Sequence, residues 1–172
     1  LRNKITFGDY KLADIPNTCA SAIKAVRDLK FNYITIHISS GLNALKAAKK
    51  ASGSTKLIGV TILTSLDNKL LKEIGFDKNV KNLVINQARL AAKAKLDAVV
   101  CSPLEIKIVK KVFKKEIITP GIRLTGEKRE DQKRVMTPKQ ALENGATSLV
   151  IGRSLTEGNI SKNIQKLIKE LK

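Results

Sequence analysis

The sequence is poor in aromatic residues, cysteine and histidine, and each shortage argues against a class of protein. Only 3% of the 172 residues are aromatic and tryptophan is absent, so platforms for stacking single-stranded nucleic acid are scarce. No apolar run approaches the ~20 residues that a membrane-spanning helix needs. The amino-terminal stretch LRNKITFGDYK lacks the apolar segment of a secretory signal peptide. These absences predict a cytoplasmic protein with no membrane segment.

The few thiol and imidazole groups predict no metal site. The two cysteines, Cys19 and Cys101, lie far apart and have neither CxxC nor metal-ligand spacing. We interpret them as buried thiols in a reducing compartment. The single histidine, His37, lies in the apolar run YITIHI without an accompanying cluster of ligands. We therefore interpret His37 as a hydrogen-bonded core residue.

Positive charge, in contrast, is abundant. The chain has 33 lysines and arginines against 15 aspartates and glutamates, a net charge of +18. Such a charge is compatible with nucleic-acid binding. Most of it, however, is lysine spread along helix-like segments such as 107–115 and 162–172. This favours a solvated lysine-rich surface, and the basic field also suits a small phosphorylated substrate.

Short β-branched runs alternate with helical patterns along the whole chain. The runs are mostly continuous and apolar, which is typical of strands buried on both faces of a parallel sheet. Between them lie periodic segments such as 21–29 and 83–94, and Gly145 suits a helix end. No Gly/Ser-rich linker interrupts the pattern, so residues 1–172 are predicted to form a single domain. The predicted strands are 5–11, 33–38, 57–64, 97–102, 116–121 and 148–152.

The spacing of these units favours a (β/α)₈-type barrel. Six strand–helix units share 172 residues, about 29 each, close to the roughly 30 per unit of an eight-unit TIM barrel. The expected fold is thus α/β, an incomplete TIM barrel of six units that lacks two. A doubly wound open sheet is the alternative, but no GxGxxG marks its switch point.

The first predicted strand ends in an Asp-x-Lys-x-x-Asp pattern. Asp9 and Lys11 lie on the same face because side chains alternate along a strand. A carboxylate beside an ammonium keeps both ionised, and such a lysine could deliver a proton to carbon. A structural ion pair explains the pattern equally well. Pro16 suits the first turn of the following helix, with Asn17 or Thr18 as possible cap residues.

The last two predicted strands end in arginines. Gly152 and Arg153 follow a β-rich run and precede a helix predicted around 158–171, an arrangement suited to binding phosphate. Arg123 ends the preceding TPGIR motif. The long polar segment 124–138 then predicts a lid that closes on the phosphate.

Taken together, these motifs resemble one family. DYKLADIPNT, HISSG, VTILTS, VVCSP, TPGIR, DQKRVMTP and VIGRSLT are similar to orotidine 5′-phosphate decarboxylase, from about residue 5 to the carboxyl terminus. The resemblance implies a lyase that converts orotidine 5′-phosphate to UMP in de novo pyrimidine synthesis, without a cofactor. It also implies a homodimer with shared active sites.

The resemblance also assigns roles. For catalysis it implies that Lys11 protonates C6 of the pyrimidine, that Asp9 lies beside the substrate carboxylate, and that Asp14 reaches the neighbouring subunit's site. For binding it implies that Thr64 lies near the pyrimidine and that Gln132 bridges the lid to base and phosphate. It also implies that Arg153 and the Gly152 backbone hold the phosphate, that Arg123 supports them, and that Thr18 is a further contact. Lys11 and Arg153 would then share one cavity. His37 has no catalytic role in this pattern.

Some features depart from the family. Its first two strands, which would bring an aspartate and a second lysine, have no counterpart here. Gly8 stands where a larger apolar residue is usual, and Ala13 where histidine is common. We therefore expect the chain as given to be a fragment with little or no activity. Two alternatives stay open: a related sugar-phosphate decarboxylase or aldolase, and a non-enzymatic basic module that binds nucleic acid.

Overall fold

The computed structural model describes residues 4–127 and 134–171. Six parallel strands alternate with helices, as the sequence predicts. The described chain clusters into two compact units. The first unit comprises Leu1–Thr61, Ile85–Val100 and Val112–Lys115, and the second comprises Ile62–Val84, Cys101–Lys111 and Glu116–Lys172.

The first unit contains four parallel strands that neighbour each other in chain order. The strands Tyr33–His37 and Lys56–Val60 are buried over most of their length, which confirms their interpretation as strands covered on both faces. Ile23 and Leu45, on the helices that precede and follow the first of these strands, are fully buried. The elements are β1 (Phe7–Leu12), α1 (Pro16–Arg27), β2 (Tyr33–His37), α2 (Gly41–Ala51), β3 (Lys56–Val60), most of α4 (Val80–Lys93) and β4 (Ala98–Val100).

The second unit contains one parallel strand pair and several short helices. Both strands are shorter than the predicted runs 116–121 and 148–152, since one ends at Thr119 and the other at Leu149. Pro120 follows the first of them and has no N–H to donate to a strand partner. The elements of this unit are α3 (Asn68–Glu73), α5 (Ile106–Val112), β5 (Glu116–Thr119), α6 (Pro138–Glu143), β6 (Ser148–Leu149), α7 (Arg153–Thr156) and α8 (Ile160–Leu171).

Two local predictions need correction. The residue that caps α1 is Ile15, which makes no side-chain cap hydrogen bond, so neither Asn17 nor Thr18 is the cap. Pro16 does occupy the first turn, as expected. The helix also ends at Arg27. Leu29, at the end of the predicted periodic segment 21–29, therefore lies outside the helix and is exposed.

Candidate active site

The acidic and basic groups at the end of β1 form one hydrogen-bonded cluster. The Lys11 ammonium donates to Asp9 Oδ2 at 2.5 Å, and about half of each side chain is exposed. The hydroxyl of Thr35, which is buried in β2, donates to Asp9 Oδ1 at 3.0 Å. Both oxygens of the Asp9 carboxylate are thus held, one by a charge and one by a buried hydroxyl.

The backbone of β1 bulges around Thr35. Gly8 pairs with Ile34 and Leu12 pairs with Ile36, so three residues of β1 face a single residue of β2. Lys11 takes up this excess with a φ of 48°, a left-handed conformation that is uncommon for a residue with a side chain. Its N–H donates to Thr35 Oγ1 at 2.8 Å. The bulge changes the direction of the Lys11 side chain, and the hydrogen bond to Thr35 holds the bulge in place.

Thr35 was not among the residues predicted for this site. The available signal is a hydroxyl residue in the otherwise apolar run YITIHI, two positions before His37. His37 lies in the same electrostatic environment. Burial lowers the pKa of His37, the charge of Lys11 lowers it further, and the charge of Asp9 opposes them. A lowered pKa favours the neutral imidazole over the imidazolium, which agrees with the interpretation that His37 is not the acid.

Asp14 and Thr18 lie beyond this cluster, in the turn after β1 and the first part of α1. The Asp14 Oδ1 accepts a hydrogen bond from the Ile15 N–H at 2.6 Å, so its carboxylate serves its own turn. Both Asp14 and Thr18 are exposed. Asp14 and Ile15 also line an open cavity of about 600 Å³ together with Ser39 and Ser40.

In the second unit, Arg123 is positioned by backbone pairing across the 124–138 segment. Ile122 forms a parallel bridge with Met136, and the Arg123 N–H donates to the Met136 carbonyl at 3.1 Å. The Arg123 side chain is only 8% exposed, and its Nη1 donates to the Ile122 carbonyl at 3.2 Å. Arg123 is therefore a buried cation, and its supporting role at the phosphate stays a prediction.

Gly152 is the N-cap residue of α7, a helix of four residues that begins at Arg153 and was not predicted. The helix predicted around 158–171 is confirmed as α8, which starts at Ile160. A Cβ added at Gly152 would meet nothing within 4 Å, so packing does not require a glycine there. This open space is what a ligand approaching the backbone would use.

Glu127 connects the start of the 124–138 segment to α7. Its Oε2 accepts hydrogen bonds from the Ser154 hydroxyl at 2.5 Å and from the Leu124 N–H at 3.1 Å. Thr125, which follows Leu124, donates its N–H to Glu170 of α8 at 2.8 Å. The beginning of the predicted lid is thus fixed beside Arg153. Glu127 was not predicted as a functional residue, and its only signal in the sequence is its position in that polar segment.

Thr64 follows β3 in a turn held by a distant arginine. The Arg134 guanidinium donates to the Leu63 carbonyl at 2.7 Å and to Glu105 Oε1 at 2.8 Å. Arg134 belongs to the DQKR motif, but the sequence analysis gave it no role. Gln132, in the same motif, lies outside the described residues, as does the central part of the predicted lid, 128–133.

Comparison with known proteins places this chain in a family. The family model described as "Orotidine 5'-phosphate decarboxylase / HUMPS family" matches residues 1–164. The chain belongs to this family. A curated relative from a Wolbachia endosymbiont of Brugia malayi, named orotidine 5′-phosphate decarboxylase, is 45% identical over 170 residues, covering 96% of this chain and 75% of the relative. The Aquifex aeolicus protein of the same name is 42% identical over 160 residues, covering 91% and 68%.

Solved structures of the orotidine 5′-phosphate decarboxylase family share the fold. The crystal structure from Lactobacillus acidophilus has a TM-score of 0.82 at 30% identity, covering 96% of this chain and 74% of that one. The Methanocaldococcus jannaschii enzyme, solved with the inhibitor BMP, has a TM-score of 0.72 at 25% identity, covering 98% and 74%. The predicted membership of this TIM-barrel family is confirmed.

The described residues also bear on other kinds of site. Between residues 4 and 127 and between 134 and 171, no three His, Cys, Asp or Glu side chains are grouped as metal ligands. Over the same ranges, no helix combines the length and apolar character needed to cross a membrane.

Proposed function

We propose that this chain carries out the chemistry of its relatives, the decarboxylation of orotidine 5′-phosphate to UMP. The observation that carries the proposal is the Asp9–Lys11 pair, oriented by Thr35 at the end of β1. Relatives named orotidine 5′-phosphate decarboxylase at 42–45% identity support the same substrate. The match extends over nearly the whole chain, which favours this function over an aldolase or a nucleic-acid-binding module.

Lys11 supplies both charge and proton. Release of CO₂ breaks the bond between C6 and the carboxyl carbon and leaves the electron pair on C6. The Lys11 ammonium stabilises that charge and then transfers a proton from Nζ to C6. The lysine regains its proton from solvent. Asp9 holds the Lys11 ammonium in place by accepting its hydrogen bond at Oδ2.

The remaining candidate residues bind the nucleotide. Arg153 and the open Gly152 backbone hold the 5′-phosphate, with Arg123 in support. Contacts far from C6 supply binding energy that orients the ring. Thr64 and Gln132 contact the pyrimidine end, and Thr18 is a further substrate contact. These roles require no cofactor, since charge on C6 is met by Lys11.

We also propose a homodimer in a reducing cytoplasm, with residues 1–172 acting as one catalytic domain. Asp14 would complete the neighbouring subunit's site. Its exposure, together with the adjacent open cavity, supports this role. The two free cysteines, both buried, suit a reducing compartment. Sedimentation of the chain at several concentrations tests the dimer.

Binding of a 6-substituted UMP tests the function directly. We expect this ligand to raise the melting temperature of the chain, because a ligand that binds only the folded state stabilises it. Lys11→Met and Arg153→Met should each weaken binding by about tenfold or more, which corresponds to a loss of ~1.4 kcal/mol. Calorimetric titration gives the affinities.

The control is Lys24→Met, which removes the same charge from an exposed position on α1 and should leave affinity unchanged. An equal loss of affinity in all three variants would mean that only the net charge of the chain affects binding. Absence of nucleotide binding, combined with tight and salt-sensitive RNA binding, would replace the enzyme with the basic-module alternative. The low turnover expected for the chain as given stays a prediction, and the titration does not depend on it.

A further inference from the structure

Arg134 is a buried cation that joins three separate segments of the second unit. Its side chain is about one-tenth exposed. Nη1 donates to Glu105 Oε1 at 2.8 Å, and Nη2 donates to the carbonyls of Leu63 at 2.7 Å and Ile62 at 3.4 Å. These acceptors are 29, 71 and 72 residues away in sequence. One guanidinium therefore connects the end of the 124–138 segment to the turn after β3.

The burial of this ion pair indicates that its role is to fix the positions of the groups it binds. Glu105 is only 6% exposed; burial raises its pKa, and the charge of Arg134 opposes that rise. A buried salt bridge is weak evidence for stability, because desolvation offsets much of the attraction. The planar fork of arginine, however, can satisfy a carboxylate and two carbonyls in fixed directions, which lysine cannot.

The carbonyls that Arg134 holds lie directly before Thr64. The Leu63 carbonyl also accepts the N–H of Leu66 at 3.0 Å, so it closes the turn that presents Thr64 and Ser65. Arg134 and the Leu66 N–H therefore donate to the same carbonyl oxygen, and together they hold the turn in place.

Arg134 lies two residues before Met136, and the backbone of Met136 pairs with that of Arg123. Met136 donates its N–H to the Gly121 carbonyl and accepts from the Arg123 N–H, both at 3.1 Å. A displacement of Arg134 would therefore shift two candidate nucleotide contacts. Thr64 would move because the Arg134 side chain holds the preceding carbonyl, and Arg123 would move because its backbone pairs with Met136.

We propose that Arg134, oriented by Glu105, is a positioning residue that fixes Thr64 and Arg123 relative to each other for nucleotide binding. The proposal rests on the proposed function. Arg134 itself touches no reacting atom. It acts through the Leu63 carbonyl on one side and the Met136 pairing on the other.

The first arm of the test is affinity. Arg134→Lys keeps the charge but loses the fork, and we expect it to bind 6-substituted UMP about tenfold more weakly. The matched control is Lys49→Met, which breaks a partly buried ion pair with Asp97 in the first unit. That control should lower the melting temperature and leave the affinity unchanged.

The second arm needs no ligand. Hydrogen exchange in the free chain should become faster in peptides covering 62–66 and 121–124 of Arg134→Lys, and should stay unchanged there in Lys49→Met. Faster exchange together with weaker binding supports the proposal. Unchanged exchange overturns it, and so does faster exchange with normal affinity, which would leave Arg134 a purely structural role. Failure of the wild-type chain to bind the nucleotide would instead refute the proposed function.

Discussion

At the scale of single residues, the candidate acid depends on a hydroxyl in the neighbouring strand. Thr35 accepts the Lys11 N–H and donates to Asp9, so it holds both the backbone and the partner of the lysine. A left-handed conformation at a non-glycine residue persists only where surrounding contacts enforce it. Thr35 provides such a contact at Lys11.

Replacing this hydroxyl should therefore affect both stability and binding. We expect Thr35→Val to lower the free energy of unfolding by about 1–3 kcal/mol, because polar groups lose a buried partner. Affinity for 6-substituted UMP should fall about tenfold as Lys11 loses its orientation. Denaturant titration and calorimetry measure the two effects.

Thr61→Val is the matched control for this change. Thr61 is also buried in the first unit, and its hydroxyl donates to the Val100 carbonyl at 2.7 Å. Its loss should reduce stability without changing nucleotide affinity. An unaltered affinity in Thr35→Val as well would show that the Asp9–Lys11 pair orients itself.

At the scale of elements, α6 ends where the chain turns back toward β6. The helix stops at Glu143, and Gly145 follows with a φ of 106° while its N–H donates to the Leu142 carbonyl at 2.9 Å. A Cβ at Gly145 would also approach the Lys110 side chain to within 2.7 Å. The predicted helix end at Gly145 is confirmed, and its cause is conformational.

Gly145→Ala should consequently destabilise the chain. We expect a loss of about 1–3 kcal/mol, because alanine is strained at this positive φ and Lys110 must move. Lys139→Ala, at an exposed position within α6, should be close to neutral. Thermal unfolding of the two variants separates them. Equal melting temperatures would mean that the turn can adopt a conformation open to alanine.

At the scale of the whole molecule, charge is the dominant feature. A net charge of +18 on 172 residues sets up repulsion that opposes the compact state. This net charge already counts all 15 carboxylates, so ion pairs such as Asp97 with Lys49 and Glu105 with Arg134 do not reduce it. Stability should therefore respond to ionic strength.

We expect the melting temperature to rise when sodium chloride is increased from about 0.05 M to about 0.5 M, because salt screens repulsion between exposed charges. Differential scanning calorimetry measures the shift. The affinity for a phosphorylated ligand should fall over the same range, since that interaction is attractive. A melting temperature that falls with salt would indicate that local ion pairs outweigh the general repulsion.

Much of the architecture could be predicted from the sequence, because strand and helix periodicities are local properties. The six strands, the Pro16 helix start and the Gly145 helix end followed from residue patterns. Strand ends were placed less well, since pairing with neighbours decides them. The helix predicted around 158–171 is confirmed as α8, whereas the short α7 that precedes it was not predicted.

The sequence alone determined the alternation of strands and helices, the excess of positive charge, and the motifs that indicate the family. These depend on residue type and spacing along the chain. Only the tertiary structure decided that Thr35 anchors Lys11, that Glu127 reaches Ser154, and that Arg134 holds the carbonyls before Thr64. Each of these contacts joins residues at least 24 positions apart, and no local pattern specifies which distant groups the fold brings within hydrogen-bond distance.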